Sequence, residues 1–64
     1  MRVILPDKTV REYSPGSRTV GQIICDLGMN PVETLVVRDG ILMPESAIPD
    51  DKDEIHIIMV SHGG

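Results

Sequence analysis

One stretch of this chain has helical periodicity, and runs of strand length lie on both sides of it. Val20, Ile23, Ile24 and Leu27 fall at i, i+3, i+4 and i+7, one apolar stripe of a short amphipathic helix. Thr19-Val20-Gly21-Gln22 opens that helix with capping-box spacing, Thr19 as N-cap and Gln22 at N3. Gly28 stands where a left-handed terminating glycine belongs, and Pro31 prevents the helix from resuming. A single short helix must cover something wider than itself, and here that is a sheet.

The strands read from alternation and turn chemistry. Met1 to Leu5 is the first, with Met1, Val3 and Leu5 facing inward and Ile4 outward. Pro6-Asp7-Lys8 turns the chain into a second strand, Thr9 to Tyr13. Thr34 to Arg38 is the third, Asp39-Gly40 a tight turn, and Ile41 to Met43 a short fourth strand. Glu45 to Lys52 is a polar connection in which Ala47 and Ile48 could form one helical turn. Glu54 to Val60, rich in β-branched residues, is the last strand. The order ββαβββ predicts an α+β domain with a four- or five-stranded mixed sheet. The first and last strands are expected to lie parallel in its middle, with the helix across one face.

The chain has 64 residues, enough for one domain of marginal core size. Residues 1–60 are expected to form it, and residues 61–64 a flexible tail. Trp and Phe are absent, so the core must be aliphatic. The net charge of −4, with no basic cluster, argues against nucleic acid and anionic membrane as partners. Cys25 is the only cysteine, which excludes an intrachain disulfide and a cysteine-based metal site. It is expected to be a half-buried structural thiol at the edge of the helix stripe. The opening apolar run is too short for a signal segment or a membrane span, and a cytoplasmic location is expected.

Ser61-His62-Gly63-Gly64 is the chemically suggestive stretch. Two residues without Cβ cannot block a narrow channel, and the expectation is a mobile, slim tail. Its reactive group is the Gly64 α-carboxylate, ionised at pH 7 and inert until activated. His62, without a fixed geometry, reads as solvated and not as a general base. Asp50, Asp51, Asp53 and Glu54 lack the glycine and closing Glu of a calcium loop. No nucleophile–base pair, metal cluster or nucleotide loop is present, so the chain does not read as an enzyme.

The element order, Thr19-Val20, the Gly28 break, the Asp39-Gly40 turn and the Gly63-Gly64 pair together resemble the β-grasp sulfur-carrier family, the ThiS/MoaD-type relatives of ubiquitin. The stretch from Ile55 to Gly64 also resembles the last strand and tail of ubiquitin. The resemblance implies a ubiquitin-like β-grasp fold and a role as substrate. A ubiquitin-activating-type enzyme would use ATP and Mg²⁺ to adenylate Gly64. Sulfur from a cysteine desulfurase or rhodanese-like donor would convert it to a thiocarboxylate. An acceptor synthase or thiolase would then take sulfur for thiamine, molybdopterin or a tRNA base, and isopeptide conjugation to lysines is known in similar proteins. No cofactor bound to the chain itself is implied, and the free protein is expected to be a monomer. Gly63 would matter by fit in the adenylation channel. Val37, His56, Ile58 and Val60, on the face away from the helix, with Ser61 and His62, would contact the partner. Ser61-His62 differs from the usual pair of the thiamine and molybdopterin branches. Leu5 to Tyr13 also resembles a TGS module, which points to the alternative of a non-covalent adaptor with an incidental Gly-Gly end.

Overall fold

The computed structural model describes residues 1–60. Strands β1 (Arg2–Ile4) and β2 (Val10–Glu12) form an antiparallel hairpin, followed by helix α1 (Val20–Asp26). A 3-10 turn (Pro31–Glu33) leads to β3 (Thr34–Arg38), β4 (Ile41–Met43) and β5 (Glu54–Met59). The five strands make one mixed sheet in the order β2-β1-β5-β3-β4. β1 and β5 are parallel and neighbours, and β5 is antiparallel to β3. This is the α+β arrangement expected from the sequence, with five strands.

The helix begins and ends as its residues dictate. The Gln22 N–H donates to Thr19 Oγ1 at 3.2 Å, and the Thr19 N–H donates to Gln22 Oε1 at 2.9 Å. This reciprocal pair satisfies two donors that the first helical turn leaves free. At the other end Gly28 adopts φ +81°. Its N–H reaches the Cys25 carbonyl and the Met29 N–H reaches the Ile24 carbonyl, both at 3.0 Å. That is the Schellman pattern, in which a left-handed residue lets the chain turn back onto the last carbonyls.

Val20, Ile23 and Ile24 bury one helical stripe against Val3, Val36, Ile55 and Ile57, with Met1 completing the core. Leu27, expected in that core, is the C-cap and only half-buried. The helix has ended by then, so its side chain packs against the core from the edge. Cys25 is exposed, not half-buried, because the stripe formed by Ile23 and Ile24 turns it outward. Ala47 and Ile48 form no helical turn. The Val20 N–H donates to the Ala47 carbonyl at 2.8 Å and the Gly21 N–H to the Glu45 carbonyl at 3.0 Å. The connection instead turns at Glu45-Ser46, closed by the Ala47 N–H donating to the Pro44 carbonyl at 3.0 Å, and is held against the start of α1.

Polar ties fix the ends. The Tyr13 hydroxyl donates to Asp26 Oδ2 at 2.6 Å, and this bond, first among its causes, raises the Tyr13 pKa. Arg18 lies over the Tyr13 ring and also meets Asp26 at 3.4 Å. Asp53 Oδ2 accepts from the Asp50 N–H at 2.8 Å and from Arg38 at 2.9 Å. These two contacts hold the Asp53 carboxyl below its ordinary value, the backbone donor contributing most. Among the described residues, no helix is long and apolar enough to cross a membrane.

Candidate functional site: the open sheet face and the end of β5

The helix covers one face of the sheet and leaves the other open. Register determines what stands there. Ile4 lies opposite Val10 on β2 and beside His56 on β5; His56 lies opposite Val37, and Val37 opposite Leu42. One row, Val10–Ile4–His56–Val37–Leu42, therefore crosses all five strands. At about 4.8 Å between strands it is roughly 19 Å wide. Leu35 and Ile58, paired with each other, form the next row toward the end of β5. On the other side Arg2 stands between Glu12 and Glu54.

The row is apolar except at its centre. Val10, Leu35, Leu42 and Ile58 are about half exposed, and Ile4 and Val37 are partly covered by their neighbours. His56 Nε2 is 3.7 Å from Glu54 Oε1, the adjacent outward residue of its own strand. A shallow depression runs along Ile4, Lys8, Val37, His56 and Ile58. Contiguous exposed apolar groups of this kind, rimmed by charge, mark interaction surfaces.

Of the residues expected to contact a partner, Val37, His56 and Ile58 come together on this face. Val60, expected with them, is half-buried beyond the last residue of β5. Its N–H donates to the Glu33 carbonyl at 2.8 Å, and it lines a cleft together with Val20 and Ile24 of α1 and Val36 of β3. Strict alternation fails there because Glu33, its partner, belongs to the 3-10 turn and not to a strand. Ser61, His62, Gly63 and Gly64, including the expected mobile tail, lie outside the described residues.

The face is larger than the residues named from the sequence. Leu42 was legible: a two-residue Asp39-Gly40 turn puts Leu42 opposite Val37. Val10 and Leu35 were not, since the alignment of Val10 with Ile4 depends on the register of the first hairpin and that of Leu35 with Ile58 on which strands become neighbours. No family model matches the chain, and no curated protein matches it.

Proposed function

We propose that this chain is a β-grasp sulfur carrier of the ThiS/MoaD type, with the Gly64 carboxylate as the group that is activated to hold the sulfur and the open sheet face as the contact for its activating enzyme. The observation that supports this reading is the position of β5. It is the central strand, parallel to β1, and residues 61–64 follow directly from its anchored end at Val60. The half-exposed Ile58 and His56 stand two and four residues before that end.

The chemistry asks little of this chain beyond presentation. The Gly64 carboxylate oxygen attacks the α-phosphate of ATP on the partner, and pyrophosphate leaves. A persulfide on the donor then attacks the acyl carbon and AMP leaves. A second thiol cleaves the resulting acyl disulfide, releasing the thiocarboxylate as the two thiol sulfurs join. Gly63 and Gly64 present no Cβ to the walls of the adenylating site. The same cycle, ending on an amine instead of a sulfur acceptor, would make the chain a protein modifier.

ATP–pyrophosphate exchange with each purified ubiquitin-activating-type enzyme of the source organism tests the reading. Exchange that depends on the full chain and is lost when Gly64 is deleted is the expected result. Exchange by none of these enzymes would favour the alternative, a TGS-like adaptor that uses the same apolar face without covalent chemistry.

A further inference from the structure

The helix is short for the sheet it covers. α1 has 7 residues, about 10 Å at 1.5 Å per residue. On the β3–β4 side it leaves an apolar cleft of about 310 Å³. Ile24 and Val36 are its buried wall, Met43 is half-buried, and Val32 stands exposed at its rim.

Two local structures hold the cleft open. On one side residues 45–47 are bonded to the start of α1, through the Gly21 and Val20 N–H groups. A Cβ at Gly21 would stand in ordinary van der Waals contact with Glu45, at 3.6 Å, so the two segments pack closely here. On the other side the Asn30 side chain caps the 3-10 turn by accepting from the Val32 N–H at 3.0 Å. Pro31 at the first position of that turn sets its φ.

The contents of the cleft indicate what fits it. Its volume is at the bottom of the range for small-molecule sites, about 300–1,000 Å³. The Thr34 hydroxyl inside it already donates to the Asn30 carbonyl at 3.1 Å. Glu45 is the charged residue among its lining. A nucleotide or a polar metabolite would find neither room nor convergent polar groups. One or two aliphatic or aromatic side chains would find both volume and matching surface.

Position then selects whose side chains these are. Val60 lines the cleft, and residues 61–64 continue from it. Four extended residues span at most about 13 Å. An enzyme acting on Gly64 must therefore lie within that distance of the cleft. We propose that the cleft receives an apolar side chain of the adenylating partner, which so holds the end of β5 from both sides. Ile58 is gripped on the open face and Val32 on the helix side. This inference rests on the carrier reading above.

The test uses the full chain and the purified enzyme that supports pyrophosphate exchange, with binding read by calorimetry. Val32→Asp places a charge at the cleft rim, and Val32→Trp fills it. Val32 is 76% exposed, so neither change should disturb folding. Ile41→Asp, at a residue 71% exposed but outside the cleft, is the control. Both Val32 variants are expected to bind about tenfold more weakly or worse, with Ile41→Asp unchanged. Val32 variants that bind like wild type while Ile58→Asp is weakened would overturn the cleft and leave the carrier reading standing. Equal loss from Ile41→Asp would also overturn it. If no such enzyme exchanges pyrophosphate with the wild-type chain, the carrier reading fails and this inference with it.

Discussion

His56 on β5 stands directly opposite Val37 on β3, at the centre of a row that crosses every strand of the sheet. The pairing gathers onto one face residues far apart in sequence, Val10, Ile4 and Leu42 among them. Neither residue is part of the buried core, so the face can be altered without unfolding the domain.

Ile58→Asp is therefore expected to fold normally. The side chain is 48% exposed in the isolated chain, and the carboxylate remains hydrated there. On docking it would be desolvated without a partner, weakening binding to the activating enzyme by about tenfold or more. An unchanged thermal midpoint with lost binding is the expected pair of results. Normal binding would remove the open face from the contact.

The core predicts a gradient of costs. Ile55 is fully buried between Val3 and the helix layer, so Ile55→Ala should cost about 2–5 kcal/mol. Leu27, half-buried at the C-cap, should cost less than that on truncation. A domain of this size has little stability to lose. Urea midpoints of the two variants check the order, and a larger loss for Leu27→Ala would mean that the core is centred elsewhere.

Much of this architecture was legible because local chemistry and global fold agree. Thr19 and Gln22 announce the cap, and Asp39 and Gly40 adopt φ +52° and +79°, the left-handed pair that a two-residue hairpin turn needs. What was missed depended on tertiary partners. Asn30-Pro31 carries a signal for the 3-10 turn as well as for the helix stop, since Asn caps and Pro suits a first helical position. Cys25, Leu27 and the Ala47-Ile48 connection turned on where a two-turn helix ends and what docks against its start. For the candidate site, alternation identified Val37, His56 and Ile58, whereas Val10 and Leu35 needed the register. Val60 departed from alternation because its partner strand had already begun as a 3-10 turn.

Asp53 links stability to pH. Its folded pKa is lowered, so its contribution is present above the unfolded carboxylate value of about 3.9 and is lost as pH falls through the folded value. Asp53→Asn should lower stability at pH 7 by about 1 kcal/mol, because it removes the charge that strengthens the bond from the Asp50 N–H and the partly exposed pair with Arg38. The gap between variant and wild type should close as pH falls below about 4. Denaturation at several pH values reads this directly; a gap that persists in acid would mean that the loss is steric.

The central claim concerns the terminal carboxylate. Intact-mass spectrometry of the protein, isolated from source cells with their sulfur relay active, reads it most directly. The account predicts a species heavier by the replacement of one oxygen with sulfur, localised by fragmentation to Gly64 and absent from the Gly64 deletion. A population carrying only the unmodified carboxylate at Gly64, or the added sulfur on Cys25 instead, would contradict it.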